Sequence, residues 1–431
     1  LCILCVLYVL STIDRQIISM LVKPIERDLS IDDVAMGVLI GPAFGLFYTT
    51  AGLAMGWAVD RFSRRLVIYC GVTLWAIGAT CCGLSSTYAE LLVARFAVGL
   101  GEAALTPAAH AIISERFQAS RRSLALSIFT VSNLISTGLA VILGGFVISF
   151  ADRTDAVFSL PLFGELAVWQ FLFVVTGAPG IVLALLAWLL PNRVAPRTDH
   201  HAIGAPSESF GSFVRQRGRA LFSVMLGCAI VTIGNYAMSG WLPTGIARRF
   251  NLEAHAAGLW FAAIVIIPGA IGQIASGTIV DAMVRRGIAD APIRYFATVC
   301  LLGMPFAVGA FMATDVRVFA GLLMVYYLLV FPNLGYSAAA IQAITPSRFR
   351  GRASGLMLFV IGVLGAGIGT TSVGAMAEYL YPGPTGLFFG LATLLCLIVP
   401  LGALMMWQGR HAYRAAVAAE AQASLNEGVV S

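Results

Sequence analysis

Apolar runs of about twenty residues recur a dozen times along this chain, and charge is nearly absent inside them. A helix needs roughly 20 consecutive apolar residues to cross a bilayer. The runs predict spans at Leu1–Val22, Val34–Ala58, Leu66–Leu84, Ala89–Ile113, Ser123–Ile148, Leu166–Leu190, Ala220–Ile246, Ala256–Val280, Ile293–Met312, Val316–Ile344, Ala353–Tyr379 and Gly386–Trp407. Hydrocarbon offers no partner to an open backbone group, so each span must be a helix or a strand of a closed barrel. Unbroken runs of this length lack the alternation of barrel strands and leave only helices. Composition agrees: 59% of residues are hydrophobic and 11% charged, against about 25% charged in soluble domains. The chain begins inside an apolar run without an initiator Met, so its true N-terminus is expected upstream. Leu1–Leu10 then reads as part of the first span and not as a signal peptide.

A net charge of +6 could suggest nucleic acid in a soluble protein. Here the positive charges sit in short loops. The loops on one side carry 19 Lys and Arg residues and those on the other carry 6, with Arg15 and Arg95 inside spans. Basic loops stay in the cytoplasm, which predicts cytoplasmic termini, a cytoplasmic central loop and, in a bacterium, residence in the inner membrane. All eight cysteines fall in apolar runs. The Cys2/Cys5 pair reads as packing, and neither a disulfide framework nor a metal site is expected.

An internal repeat fixes the organisation. Gly56, Asp60, Arg64 and Arg65 follow the second span as G-x-x-x-D-x-x-x-R-R, and Gly277, Asp281, Arg285 and Arg286 follow the eighth in the same spacing, 221 residues on. That offset also places Asn235 where the first half has Asp14. The expected architecture is an all-α membrane protein of twelve transmembrane helices in two six-helix bundles. The first bundle covers 1–190 and the second 220–408, with a central loop at 191–219 and a tail at 409–431. Repeats of this kind place a substrate site between the halves near mid-membrane.

Twelve spans, a central loop and this motif resemble the major facilitator superfamily. A narrower likeness is to spinster-like transporters: Arg95, Gly99, Gly101, Glu102 and Ala103 match their R-x-x-x-G-x-G-E-A run. Asp14-Arg15, Asp60-Arg61-Phe-Ser-Arg64-Arg65 and Trp241-Leu-Pro243 fit as well. The resemblance implies proton-driven transport of lysolipids or sphingolipid-like amphiphiles. Some organic-anion symporters share the D-R of the first span, so a sugar-acid symporter is the alternative, beside a drug/proton antiporter.

Asp14, Arg15, Arg95 and Glu102 are the clear charges deep in spans. Each costs roughly 2.5–3.5 kcal/mol at a helix centre, and such residues usually face a cavity and pair with one another. The helical rise puts Asp14 and Arg95 at similar depth, so a bridge between spans one and four is possible. Asp14 and Glu102 are the expected proton carriers, with Arg95 rearranging between them. The competing reading is a static ion pair that orients two helices.

The repeated loops read as cytoplasmic gates, with Asp60 facing a helix N-terminus of the other half and Arg61, Arg64 and Arg65 pairing with acids such as Glu115. The second loop lacks an Arg after Asp281, which predicts a weaker lock. Arg15, Asn235, Tyr236, Trp241, Gln273, Tyr327, Asn333 and Tyr336 are the expected cavity lining, a charged wall opposite an amphipathic one. His110 either extends a proton path or is a hydrogen-bonded structural residue. Gly138, Gly144 and Gly145 read as packing, and Pro107, Pro179, Pro268 and Pro332 as bends. The segment Ser209–Arg219 is either an amphipathic surface helix or a linker, and the tail after Arg414 a short frayed helix. No enzyme motif, selectivity filter or nucleotide loop is found, so the expectation is a non-enzymatic transporter. It would be monomeric in the bilayer and bind no nucleic acid and no cofactor beyond protons.

Overall fold

Helices account for nearly all of the computed structural model, which describes residues 1–117, 119–154, 158–160, 164–190, 209–346 and 349–429. Ten helices among these residues are long and apolar enough to cross a membrane, or eleven if one bent pair counts as a single span. The remaining expected span, Ser123–Ile148, lies within a longer helix, Ala119–Thr154, whose described apolar part is Ile135–Ala151.

In chain order the first-half helices are α1 (Cys2–Ile17), α2 (Val22–Leu29), α3 (Asp33–Ile40), α4 (Pro42–Arg61), α5 (Arg64–Leu84), α6 (Tyr88–Glu102), α7 (Leu105–Arg116), α8 (Ala119–Thr154) and α9 (Val168–Leu183). A two-stranded hairpin, Phe158–Leu160 with Gly164–Leu166, joins α8 to α9, and a 3-10 turn, Ala184–Leu189, prolongs α9. The second half holds α10 (Phe210–Phe250), α11 (Ala254–Arg285), α12 (Ala291–Met312), α13 (Val316–Val330), α14 (Asn333–Ala343), α15 (Arg350–Ala375), α16 (Gly386–Gln408) and α17 (Arg410–Val429).

Four spans depart from unbroken rods. The first stops at Ile17, and the chain turns by 55° into α2. Lys23, Glu26, Arg27 and Asp28 crowd that short helix, and four charges in two turns make it costly to bury in hydrocarbon. The fourth breaks at Ala103–Ala104, three residues before Pro107, which sits in the first turn of α7 where a missing N–H costs little. Pro332 separates α13 from α14, while Pro179 and Pro268 lie inside continuous helices. The eleventh ends in a π turn, Met376–Leu380. Start signals hold where side chains supply them. Thr87 and Glu90 form a reciprocal capping box at α6, and Asp32 accepts from the Ala35 N–H at 2.7 Å to cap α3.

By packing, the chain falls into two compact units that cut across the sequence halves: Leu1–Ala195 with Tyr236–Ile266 and Ala366–Leu391, and Pro196–Asn235 with Ile267–Gly365 and Ala392–Ser431. Within the first unit, parts of α10 and α15 are stitched to α1 and α3. Trp241 Nε1 donates to the Thr370 carbonyl at 2.7 Å, and Thr370 Oγ1 to the Gly37 carbonyl at 2.7 Å. Thr244 Oγ1 donates to the Ser19 carbonyl at 2.9 Å, and Gln16 Nε2 to Ser239 Oγ at 2.9 Å.

In the second unit the segment expected as a surface helix or linker is helical from Phe210 and runs on without a break. It is the first three turns of α10, so the helix begins inside the stretch read as central loop. Arg217 there donates to the Ile344 carbonyl at 2.6 Å and pairs with Glu420 of α17 at 2.8 Å. The tail is a 20-residue helix, not a frayed end. Its Arg414 meets the buried Asp290 at 2.7 Å, Arg294 meets the same carboxyl at 2.9 Å, and the Tyr413 hydroxyl donates to the Ala340 carbonyl at 3.3 Å. Burial alone would raise the Asp290 carboxyl. The hydrogen bonds and charges of Arg414 and Arg294 outweigh it and hold Asp290 below the usual carboxylate range. With its folded value depressed, Asp290 contributes stability that is present above the unfolded value and is lost as pH falls through the folded one. Docking of α17 is therefore expected to persist through neutral and mildly acid pH. Asp290→Asn should free it, read as faster amide hydrogen exchange across residues 410–429; unchanged exchange would count against the clamp.

Candidate functional site

Two glycines bring the deep charges together. A Cβ on Gly99 would stand 2.5 Å from the Phe44 carbonyl oxygen, and one on Gly101 would stand 2.6 Å from the Gly71 carbonyl oxygen and against the Trp75 N–H. Only a residue without a side chain lets α6 lie this close to α4 and α5. The R-x-x-x-G-x-G-E spacing thus brings the helix that carries Arg95 and Glu102 against α4 at Phe44 and α5 at Trp75.

Asp14 is wholly buried on α1. Its Oδ2 accepts from Trp75 Nε1 at 3.3 Å and its Oδ1 from Thr176 Oγ1 at 3.1 Å. Arg95, also 0% exposed, lies within electrostatic range of that carboxyl but makes no hydrogen bond to it. None of its three guanidinium nitrogens has a hydrogen-bond partner among the described residues, and its Cζ lies 5.4 Å from the Phe44 ring centroid. The bridge expected between Asp14 and Arg95 is replaced by another between the same two spans: Arg15 Nε stands 3.6 Å from Glu102 Oε2. The hydrogen bonds to Asp14 come instead from Trp75 of α5 and Thr176 of α9.

The two partners of the observed bridge differ in access. The Glu102 side chain is 1% exposed and that of Arg15 is 23%. At 3.6 Å the contact is an ion pair without a hydrogen bond, and the Ser11 hydroxyl is the other polar group close to the Glu102 carboxyl. Aromatic rings flank the cation: Arg15 Cζ is 5.2 Å from the Phe44 centroid and 5.5 Å from that of Tyr48. The Tyr236 hydroxyl of the second half is within electrostatic range of Arg15. A partly open cation beside a sealed, weakly held carboxylate can exchange partners. A buried charge lacking hydrogen bonds is costly and survives where a mechanism needs it.

The other expected lining residues are distributed differently. Asn235 and Tyr236 are half-buried and Gln273 is exposed. Trp241 is fully buried and bonded to Thr370, Tyr327 is 2% exposed and stacks on Phe331, and Asn333 is 1% exposed with Nδ2 3.4 Å from Thr232 Oγ1. Tyr336 is 4% exposed and packs edge-on against Tyr295. These four serve helix packing, because neighbouring side chains already cover them, and they line no open wall.

At the gates, Arg61 sits 4.7 Å over the Trp57 ring and Arg65 donates to the Leu190 carbonyl, a backbone partner where an acid was expected. Arg64 is buried. The side chains of Asp60 and Glu115 lie outside the described residues. A Cβ on Gly56 or Gly277 would meet nothing within 4 Å. Asp281, Arg285 and Arg286 are exposed and form no ion pair among the described residues. His110 is exposed with its ring 5.7 Å from Phe129, and among the described residues no hydrogen bond ties it to a proton path. Phe44, Tyr48, Trp75 and Thr176 were missed from sequence. The one available signal was the aromatic i, i+4 pair Phe44/Tyr48 opposite the charged span.

The Major Facilitator Superfamily profile matches residues 4–370. An MFS-type efflux pump of Mycolicibacterium smegmatis is 26% identical over 420 residues, covering 96% of this chain and 92% of that protein. A probable L-galactonate transporter of Escherichia coli K12 is 24% identical, covering 70% of this chain and 65% of that protein. Among solved structures, an inward-facing, unoccupied bacterial homologue of the human lysosomal transporter spinster superposes with TM-score 0.75 at 23% identity, over 96% of this chain and 95% of that one. With its helical repeat, its paired deep charges and these matches, the chain belongs to the Major Facilitator Superfamily and has that family's transporter fold.

Proposed function

We propose that the protein is a proton-coupled secondary transporter that works by alternating access and moves an amphiphile with an anionic head, of the lysolipid or sphingolipid class. The observation that carries this reading is the Arg15–Glu102 pair, in which one partner is sealed and the other open. When Glu102 takes up a proton, the pair loses its attraction and Arg15 is released. The head of the substrate then meets Arg15 between Phe44 and Tyr48. Asp14 and Arg95 form the second titrating unit one helical layer away, and Arg95 supplies a cation that nothing yet neutralises by hydrogen bonding. The same chemistry supports proton exchange against substrate, because Glu102 and an anionic head compete for one guanidinium. In this reading the basic loops face the cytoplasm of a bacterial cell, and one chain suffices.

The fully buried Arg95 without hydrogen bonds favours a second reading, symport of a sugar acid whose carboxylate Arg95 would hold. The similarity to a probable L-galactonate transporter supports it. Purified protein in liposomes under an imposed pH gradient separates the two. Uptake of labelled lysophosphatidylglycerol is expected, collapsing with a protonophore, while labelled galactonate should stay at the level of empty liposomes. Gradient-driven galactonate flux without lipid flux would transfer the assignment to the second reading.

A further inference from the structure

The Asp14 carboxyl is held by two donors of unlike kind. Trp75 on α5 directs Nε1 to Oδ2 at 3.3 Å, and Thr176 on α9 directs Oγ1 to Oδ1 at 3.1 Å. The indole cannot turn away. It is 1% exposed, and a Cβ on Gly180 of α9 would stand 2.9 Å from its Cζ3. On the other side α6 closes on the Trp75 backbone at Gly101. An indole nitrogen donates and never accepts, whereas a hydroxyl does both. Thr176 Oγ1 also has acceptors in its own helix, the Leu172 carbonyl at 3.0 Å and the Phe173 carbonyl at 3.3 Å.

We propose that Trp75 and Thr176 are positioning residues for the proton on Asp14: Trp75 sets how tightly the carboxyl holds it, and Thr176 fixes Oδ1 as the oxygen that takes it. Donor chemistry assigns the two roles. A new O–H on Oδ2 would face the Trp75 N–H, donor against donor. A new O–H on Oδ1 faces a hydroxyl that can turn acceptor. As that bond forms, the Thr176 proton swings from Asp14 to the Leu172 carbonyl, and no buried polar group loses its partner. Trp75 keeps donating to Oδ2, now the carbonyl oxygen of a neutral acid. A hydrogen bond to a charged acceptor is worth more than the same bond to a neutral one, so this fixed N–H favours the carboxylate by about tenfold. Thr176 serves both states. The charged and titratable groups in electrostatic range of Asp14 are Arg15 on α1, Cys82 on α5, and Arg95 and Glu102 on α6. Of the other helices against α1, α9 carries no titratable residue and the charges of α8 lie in its end turns. On α7, His110 and Arg116 are exposed. Among the described residues none of these groups hydrogen-bonds to Asp14, which leaves the control to Trp75 and Thr176. The proposal rests on the reading of Asp14 as a proton carrier given above.

Its test reads the carboxyl itself rather than flux, so it can fail while transport stands. Infrared difference spectra between alkaline and acid pH show the C=O stretch of each acid that takes up a proton, and the band absent from Asp14→Asn belongs to Asp14. Its pH midpoint is measured in the wild type, in Trp75→Phe and in protein with benzothienylalanine at position 75. That analogue keeps the bicyclic ring and places sulfur where the N–H was, so it preserves packing should Trp75→Phe fail to fold. Both replacements should move the midpoint up by about one pH unit, tenfold in proton affinity. Both should also raise the stretching frequency, because Oδ2 loses its donor. Thr176→Ser should match the wild type, and Thr176→Val should move the midpoint by less than the position-75 variants, because it removes a partner from both states. A residue that only fills space would change stability and leave the midpoint in place. A midpoint unmoved by benzothienylalanine, a larger shift in Thr176→Val, or an Asp14 band that does not titrate in the wild type overturns the proposal. The expected shifts in a protein without gradient-driven flux would support it and end the transport reading instead.

Discussion

Glu102→Gln is expected to exchange labelled substrate across a liposome membrane while losing accumulation driven by a pH gradient by about tenfold or more. The amide keeps the shape and removes both the charge and the titratable proton. Arg15, still partly open between Phe44 and Tyr48, is then permanently released from its 3.6 Å partner and available to an anionic head. Binding survives, and the link between binding and protonation does not. A charge-assisted contact of this kind is worth roughly 1.5–3 kcal/mol, which sets the tenfold scale. Arg15→Gln should do the reverse, weakening substrate binding, because the cation for which Glu102 and the anionic head compete is gone. Equal loss of exchange and accumulation in Glu102→Gln would mark the pair as a structural strut, the alternative already visible in the sequence.

A second large effect concerns architecture. Gly101→Val should destabilise the folded protein by about 3 kcal/mol or more, since overpacking costs 1–3 kcal/mol where neighbours can shift and here the obstacles are backbone. The first added atom meets the Trp75 N–H and the Gly71 carbonyl. A lowered apparent Tm and poor recovery from detergent are the expected results. Gly321→Ala is the control, because a Cβ there meets nothing within 4 Å and sits inside α13. That change should be neutral or slightly stabilising. Equal behaviour of the two variants would remove the argument that close helix approach positions Arg95 and Glu102.

Spans, repeat and deep charges were legible from sequence because burial in lipid leaves long apolar runs and makes every intramembrane charge conspicuous. Pairing was not. Asp14 and Arg95 lie at matching depth, yet Trp75 and Thr176 take the Asp14 oxygens, and a one-residue step along α1 gives the ion pair to Arg15. Depth follows from counting residues, whereas azimuth depends on how α5 and α9 are rotated against α1. Trp241, Tyr327, Asn333 and Tyr336 were read as cavity lining for the same reason: polarity marks them, but only packing decides which way they turn. The ion pairs of Arg248 were hidden because its partners Asp33 and Glu26, 215 and 222 residues away, lie on the short helices α3 and α2 outside the expected deep spans, where charge is unremarkable. The tail helix was underrated because its pins, Asp290 at the start of α12 and Arg217 on α10, are distant in sequence.

Proton movement on substrate binding tests the central claim most directly. Lysophosphatidylglycerol is added to purified protein in lightly buffered detergent, and the pH change is followed with an indicator dye. The account predicts a proton signal in the wild type and in Glu378→Gln, a variant of an exposed carboxyl, with the signal abolished in Glu102→Gln. A proton signal of wild-type size in Glu102→Gln would contradict it.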